Sequence, residues 1–155
     1  MKKPIILAVI VLAFDQLTKY LVESFTHYGS SIAIIRPLNF FNITHLTNTG
    51  AAFSIFSGKN VLFSVMIAVF LVLLAFWIYK NKDKITVLQK YAFCLVIAGG
   101  LGNLIDRFAR GAVVDFLDFG INALRWPSFN VADSAITIAA ALILISLFKK
   151  QQSFS

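Results

Sequence analysis

The chain has little charge and almost no capacity for covalent crosslinks. Charged residues make up 14% of its 155 residues, whereas they make up about a quarter of a typical soluble domain. It has one cysteine, Cys94, which lies inside an apolar run and has no partner in the chain. An internal disulfide is therefore excluded, and the small thiol is predicted to serve packing. The shortage of charge excludes an ordinary soluble domain and indicates an integral membrane protein.

The sequence also lacks the motifs of several common chemistries. His27 and His45 have neither an H-E-x-x-H spacing nor cysteine partners, so no metal site is predicted. There is no G-x-S-x-G nucleophile elbow, no Walker-type loop and no glycine-rich dinucleotide loop. We therefore expect no cofactor and no metal, and carboxylates remain as the candidates for chemistry.

Four apolar runs are present, and each is long enough to cross about 30 Å of hydrocarbon. They cover residues 4–22, 61–79, 87–105 and 131–148. The first run resembles a secretory signal peptide, but no A-x-A-like cleavage site follows it, so it is predicted to remain as the first span. Because the spans use about half of the chain, we expect one membrane-embedded domain over residues 1–155 and no separate soluble domain.

Positive charges are distributed unevenly around these spans. One set of eight lysines lies in short flanking segments: Lys2, Lys3, Lys80, Lys82, Lys84, Lys90, Lys149 and Lys150. The much longer segments on the other side hold five cations: Arg36, Lys59, Arg107, Arg110 and Arg125. The positive-inside rule then predicts that both termini and the 80–90 loop are cytoplasmic. The net charge of +7 thus reflects topology, and the predicted partners are membrane lipids rather than nucleic acid.

The two long segments outside the spans differ in composition. Residues 37–55 are rich in β-branched and aromatic types, with a turn signal at Asn48-Thr49-Gly50, and predict two or more short strands. Residues 106–130 predict a loop that contains a short helix or an extended piece. The predicted fold is therefore an α-helical membrane protein with four transmembrane helices, a small extracytoplasmic β-sheet and a short extracytoplasmic loop or helix.

Four of the seven acidic residues fall between the end of the third apolar run and the first residues of the fourth: Asp106, Asp115, Asp118 and Asp133. Carboxylates at a membrane edge are costly to desolvate and indicate a functional site. Asp115 and Asp133 are predicted on the same membrane face. Two carboxylates held close together share one proton, so that one can activate water for attack on an amide and the other can protonate the leaving nitrogen. A structural alternative for Asp133 is a capping box with Asn130 at the start of the fourth helix.

Other polar residues near the spans have two interpretations each. Asp15 and Lys19 are four residues apart and share a helix face, as a structural ion pair or as part of an active site. Asn103, Asp106 and Arg107 end the third span, where they could bind a peptide backbone or could form a solvated helix terminus. Just before them, small residues at Ala98 and Gly102 predict close helix packing.

Five motif blocks in this chain closely resemble those of the lipoprotein signal peptidase (signal peptidase II) family. The blocks, in order, are Phe14-Asp15-Gln16-Leu17-Thr18-Lys19, Asn48-Thr49-Gly50-Ala51-Ala52-Phe53, Gly102-Asn103-Leu104-Ile105-Asp106-Arg107, Gly111-Ala112-Val113-Val114-Asp115-Phe116 and Phe129-Asn130-Val131-Ala132-Asp133-Ser134. The resemblance runs essentially from end to end and includes the four-span layout.

The resemblance implies an aspartic endopeptidase of the bacterial inner membrane. Its substrate would be a diacylglyceryl-modified prolipoprotein, cleaved N-terminal to the lipidated cysteine at the extracytoplasmic face, and no obligate protein partner is implied. Asp115 and Asp133 would be the catalytic pair. The family's substrate-binding or dyad-supporting positions fall on Asn48, Asn103, Arg107 and Asn130, its structural support falls on Asp15, Lys19 and Asp106, and Asp118 is expected to be a surface or loop carboxylate.

The residues alone also suggest a second class of function, a small ion-coupled membrane transporter. Aspartate and lysine inside a membrane often mark proton or ion routes. Such sites usually lie near the bilayer midplane on interrupted helices, commonly with repeat symmetry. The sequence has no internal repeat, which favours the peptidase.

Overall fold

The computed structural model describes residues 1–49 and 60–152 and contains four long helices. They are α1 (Lys2–Phe25), α2 (Asn60–Asn81), α3 (Val87–Ala109) and α4 (Val131–Gln152). Each is long and apolar enough to cross a membrane. The four predicted spans are thus confirmed, and the helices extend beyond them by a few residues because the helical pattern continues past the hydrocarbon thickness.

Local sequence explains how the third helix begins and ends. Thr86 and Gln89 form a capping box: the Thr86 hydroxyl accepts from the Gln89 N–H at 3.2 Å, and the Gln89 side chain accepts from the Thr86 N–H at 2.9 Å. These bonds satisfy donors that the first turn leaves unpaired. At the other end, Gly111 has a φ of +77°, a conformation that glycine adopts easily. The chain turns there and leaves the helix.

The third helix lies at the centre of the bundle and packs against the other three. Two of its glycines allow this close approach. A Cβ atom at Gly99 would lie 2.4 Å from the Ala132 carbonyl oxygen of α4, and one at Gly102 would lie 2.6 Å from an Asp15 carboxylate oxygen of α1. The predicted close packing at this small-residue run is therefore confirmed, and it brings α1, α3 and α4 together beside the acidic residues.

A four-stranded antiparallel sheet lies at one end of the bundle. Its strands are β1 (Ser31–Ile35), β2 (Phe41–Asn48), β3 (Val113–Ile121) and β4 (Leu124–Arg125), in the order β1-β2-β3-β4. The carboxyl ends of α1 and α3 lead into it, and α4 starts from it, so this end is called the sheet end. The buried side chains of Val22 in α1 and of Val114 and Phe116 in β3 join the sheet to the helices.

The sheet confirms part of the sequence prediction and corrects part of it. The predicted strand content after Pro37 forms β2, whereas residues 50–55 and the Gly50–Phe53 part of the second motif lie outside the described residues. Of the two alternatives for residues 106–130, a short helix or an extended piece, the extended piece forms, as β3 and β4. The sequence left the choice open because the antiparallel partner, β2, is distant in the chain and a local pattern does not reveal it.

Candidate active site

Asp115 and Asp133 come from different elements and meet at the sheet end of the bundle. Asp115 lies in β3 between the buried residues Val114 and Phe116, and Asp133 lies in the first turn of α4. Asp115 is 6% exposed, and Asp133 is half-buried. Strand β3 and the first turn of helix α4 thus bring together two carboxylates that are eighteen positions apart in sequence.

Asn130 joins these two carboxylates. Its side-chain nitrogen donates to Asp115 Oδ1 at 2.8 Å, and its backbone N–H donates to Asp133 Oδ2 at 3.3 Å. In return, the backbone N–H of Asp133 donates to Asn130 Oδ1 at 2.9 Å. The capping box considered from the sequence therefore forms. It orients the Asn130 amide so that its NH₂ group faces Asp115, and one residue both starts the helix and connects the pair.

Two further asparagines complete the hydrogen bonds to the pair. Asn103 in α3 donates from Nδ2 to Asp133 Oδ1 at 2.8 Å, and Asn48 at the end of β2 donates from Nδ2 to Asp115 Oδ2 at 3.4 Å. The sheet register brings Asn48 to this place, since it pairs with Val113, two residues before Asp115. In the part of the chain that the structure describes, each carboxylate therefore accepts from two of these asparagine N–H groups, and the longest of the four bonds is the one on Asp115 Oδ2.

The environment of Asp115 favours its neutral form. Burial, together with repulsion from the nearby Asp133 carboxylate, raises the pKa of its carboxyl group from 3.8 to about 7. The hydrogen bonds from Asn48 and Asn130 and the positive charge of Lys19 act in the opposite direction. A pKa near 7 means that Asp115 holds a proton in a large fraction of molecules at neutral pH.

A buried ion cluster lies directly behind the pair. The Lys19 ammonium is fully buried and lies 2.9 Å from Asp15 Oδ2 and 2.8 Å from Asp106 Oδ2. Asp15 also accepts from the Ala132 N–H at 2.8 Å, and Asp106 accepts from the Val114 N–H at 3.2 Å. The cluster thus ties α1 to the start of α4 and α3 to β3. Asp15 and Lys19 thus form an ion pair on one helix face, as their spacing predicted, and the ammonium makes no hydrogen bond to either Asp115 or Asp133.

Sequence reasoning missed the outer partners of this cluster. Arg110 lies 2.7 Å from Asp106 Oδ1 through one nitrogen and 2.7 Å from Glu23 Oε2 through another. Gln16 donates to Asp15 and Asp106, each at 3.1 Å. The four-residue spacing of Asp106 and Arg110 was the signal that could have identified the first pair. The contact with Glu23 spans two helices and has no local signal.

Asp118 is not the surface or loop carboxylate that the sequence predicted. It is 8% exposed and accepts from the Thr44 hydroxyl at 2.8 Å, while an Arg125 nitrogen lies 2.8 Å from its other oxygen. Thr44 lies where β2 carries one extra residue relative to β3, and Arg125 lies in β4. The prediction is wrong because the sheet itself supplies the partners of this carboxylate. Asp118 holds β2, β3 and β4 together and does not join the other pair.

A cavity of about 780 Å³ opens beside the two carboxylates. Its polar residues include Asp115, Asp133, Asn48, Asn103 and Arg107, and its remaining lining is mostly apolar: Leu46, Thr47, Val113, Trp126, Pro127, Ser128, Phe129, Ser134, Ile136, Thr137 and Ile138. Arg107 folds back along its helix and donates to the Asn103 carbonyl at 3.1 Å. A cavity of this size holds a ligand as large as several amino-acid residues.

One wall of this cavity belongs to α4, a helix that is long enough and apolar enough to span a membrane. Ile136 and Ile138 line this wall and are 36% and 54% exposed. Among residues 1–49 and 60–152, no group of three His, Cys, Asp or Glu side chains is arranged to hold a metal ion.

The chain is similar to proteins of one family along nearly its whole length. The family model for signal peptidase (SPase) II matches residues 7–149. The lipoprotein signal peptidase of Francisella tularensis subsp. novicida is 41% identical over 159 residues, which cover 97% of this chain and 95% of the relative. That of Staphylococcus aureus is 41% identical over 145 residues, which cover 94% and 87%.

Solved structures give the same result for the fold. A bacterial membrane enzyme determined by the in meso method at 2.3 Å resolution matches with a TM-score of 0.90 and 37% identity, over 100% of this chain and 93% of the other. A second, determined at 1.9 Å resolution, matches with a TM-score of 0.84 and 39% identity, over 96% and 94%. The four-helix bundle and its sheet are thus the architecture of known bacterial membrane enzymes.

Proposed function

We propose, from the premise that this chain belongs to the signal peptidase II family, that it cleaves lipid-modified prolipoproteins with Asp115 and Asp133. The family is one of proteases, and its membership together with four apolar helices makes the chain a multi-pass bacterial membrane protein. The aspartic mechanism, the position of the cut and the face of the membrane are the parts we add. One observation carries the proposal: two carboxylates linked through Asn130 border the same cavity.

The hydrogen bonds favour different protonation states for the two carboxylates. Asp133 accepts its shortest bond from Asn103 and lies in the first turn of α4, where the helix dipole favours negative charge. Asp115 lies in a strand, and burial raises its pKa to about 7. Asp133 is therefore the base and Asp115 the acid.

Hydrolysis then follows from this division of roles. Asp133 removes a proton from a water molecule while the water oxygen attacks the carbonyl carbon of the scissile amide. When the tetrahedral intermediate collapses, the carbon–nitrogen bond breaks and the proton of Asp115 passes to the leaving nitrogen. The proton gained by Asp133 returns to Asp115 and restores the starting state.

The apolar α4 wall of the cavity supports a lipid-anchored substrate, because that helix is apolar enough to lie in a bilayer. Acyl chains in the bilayer beside the exposed Ile138 would place a lipidated cysteine at the cavity. The end of β2, where Leu46 and Asn48 line the same space, offers extended backbone along which a peptide can lie. The family resemblance supports cleavage N-terminal to that cysteine.

The test compares three matched asparagine variants in one cleavage assay. The purified protein in detergent is given a diacylglyceryl-modified precursor, and the rate is measured for wild type, Asp115→Asn, Asp133→Asn and Asp118→Asn. We expect the first two variants to lose at least about 100-fold in kcat, as for removal of an acid or base group, and to remain folded. Asp118→Asn is the control in the same strand. It weakens the ion pair with Arg125 and should lower the thermal unfolding temperature, but the folded variant is expected to keep its rate within about threefold, because Asp118 lies outside the pair.

The same assay tests the substrate with an unmodified precursor. Each CH₂ group no longer anchored in the bilayer forfeits about 0.8 kcal/mol, so the unmodified precursor is expected to react orders of magnitude more slowly. Equal rates for the two precursors would refute lipid-anchored presentation. An active Asp115→Asn with an inactive Asp118→Asn would refute the catalytic assignment.

A further inference from the structure

Within residues 1–49 and 60–152, Lys19 contacts the candidate active site through Asn103. Its ammonium is fully buried and donates to Asn103 Oδ1 at 3.0 Å, in addition to its two carboxylate partners. The other side of the same amide, Asn103 Nδ2, donates to Asp133 at 2.8 Å. The contacts therefore run in series from the ion cluster to one member of the catalytic pair.

We propose that Lys19 is a positioning residue for the hydrolysis, which sets the direction of the Asn103 amide and thereby keeps Asp133 as the ionised base. The inference rests on the proposed function and deepens it. An ammonium group can only donate, and an amide has one accepting and one donating side. The amide oxygen must therefore face Lys19, which leaves the NH₂ group toward Asp133. The reversed amide would place NH₂ against the ammonium and oxygen against the carboxylate.

The charges around Lys19 show why its effect is specific to one carboxylate. Asp15 of α1 and Asp106 of α3 face its ammonium directly, and Arg110 lies on the far side of Asp106. The positive charge also acts through space on both Asp115 and Asp133. Only Asp133, however, accepts a hydrogen bond from the side chain that Lys19 orients.

Asn103 Oδ1 has a second donor, which extends the connection to the other carboxylate. Asn130 Nδ2 lies 3.3 Å from this oxygen and 2.8 Å from Asp115 Oδ1. Because the ammonium is the closer and the charged donor, it fixes the oxygen more firmly than the amide does. Loss of Lys19 would leave the Asn103 oxygen to this longer, uncharged bond, so the amide that gives Asp133 its shortest hydrogen bond would be held less firmly.

The test removes Lys19 without leaving an unbalanced buried charge. Removal of one partner from a buried ion pair is strongly destabilising, so the variant is Asp15→Asn with Lys19→Met. The amide oxygen introduced by Asp15→Asn can still accept from the Ala132 N–H, and Asp106 keeps Arg110. We expect kcat to fall about 10- to 100-fold, a part of what a placed acid or base contributes, with KM within about threefold. In a plot of kcat against pH, the rise on the acid side (the acid limb) should move to higher pH, because a less stabilised Asp133 carboxylate ionises only at higher pH.

Arg110→Met is the matched control. It removes the other cation from Asp106, at nearly the same distance as Lys19, but it does not touch Asn103. We expect a lower thermal unfolding temperature with an unchanged pH profile. A purely structural role for Lys19 would give the same result in the double variant, so a folded Asp15→Asn, Lys19→Met protein with wild-type kcat and acid limb would overturn the proposal.

Asn103→Ala provides a second test of the proposal if the double variant does not fold. It leaves the ion cluster intact and removes only the amide, so the same loss of kcat and the same shift of the acid limb are expected, and an unshifted limb would overturn the proposal. If the Asp15→Asn, Lys19→Met variant and the Asn103→Ala variant both fold, combining them should lower kcat no further, because all these substitutions break one series of contacts. Activity in Asp133→Asn would instead refute the proposed function, whatever the Lys19 variants show.

Discussion

At the residue scale, each side chain of the candidate site makes several contacts, and these decide its role. The candidate carboxylates and asparagines could be predicted because their motifs are local. Their individual partners could not, since Asn103, Asp133 and Lys19 come from three helices. Asp118 shows the limit of prediction from local sequence. No neighbouring residue indicates that Asp118 contacts Thr44 or that Asp118 is buried.

The raised pKa of Asp115 predicts how stability depends on pH. A carboxyl group whose pKa is 3.8 when unfolded and about 7 when folded binds its proton more tightly in the folded state. Between about pH 4 and pH 7 the fold therefore loses stability as pH rises. Asp115→Asn carries no such proton, so its thermal unfolding temperature should exceed that of wild type at pH 8, and the difference should shrink or reverse at pH 5. Thermal unfolding at four pH values measures this, and a difference independent of pH would contradict it.

At the scale of elements, the helices were predictable and the strands only in part. Apolar length alone identifies the four spans, because the bilayer sets their minimum length. The third strand contains two aspartates, Asp115 and Asp118, and its pairing with β2 connects segments more than sixty residues apart. Such pairing has no local signal. Close packing of α3 against α4 then determines where Asp133 lies relative to the strand.

Two adjacent glycines of α3 give a matched test of this packing. A Cβ at Gly99 would meet the Ala132 backbone oxygen at 2.4 Å, whereas the three nearest atoms to one at Gly100 all belong to the Leu71 side chain, with the nearest methyl group at 2.7 Å. A side-chain methyl can rotate away, but a backbone carbonyl at the start of α4 cannot. Gly99→Ala should therefore destabilise by about 1–3 kcal/mol and reduce cleavage, while Gly100→Ala should lie within about 1 kcal/mol of wild type. Thermal unfolding and cleavage assays of both variants check this, and equal losses would contradict it.

At the scale of the whole molecule, the sheet and the candidate site lie at one end of the bundle, and the first residue of α1 and the 82–86 loop lie at the other. The distribution of lysines predicts that the end without the sheet is cytoplasmic. The helices alone do not distinguish the two faces, because apolar length is symmetric with respect to the bilayer. Loop charge is the part of the sequence that carries this information.

Single cysteines test the orientation. In a Cys94→Ser background, Ala123→Cys at the sheet end and Lys82→Cys at the opposite end are both exposed positions. An impermeant thiol reagent added outside intact cells should label the first and not the second until the cells are opened. The reverse pattern would invert the orientation and place the cavity in the cytoplasm.

The double role of Asn130 limits how this protein could evolve resistance to an inhibitor. A compound that hydrogen-bonds to the polar wall of the cavity would contact Asp115 or Asp133, the two carboxylates that Asn130 holds. Under the proposed function, substitution there would abolish activity along with inhibitor binding. A compound held mainly by the exposed Ile138 meets a side chain that other apolar residues could replace. Substitutions in resistant clones should therefore lie in the apolar wall. Compounds that depend least on contacts with that wall should lose the least potency through such mutations.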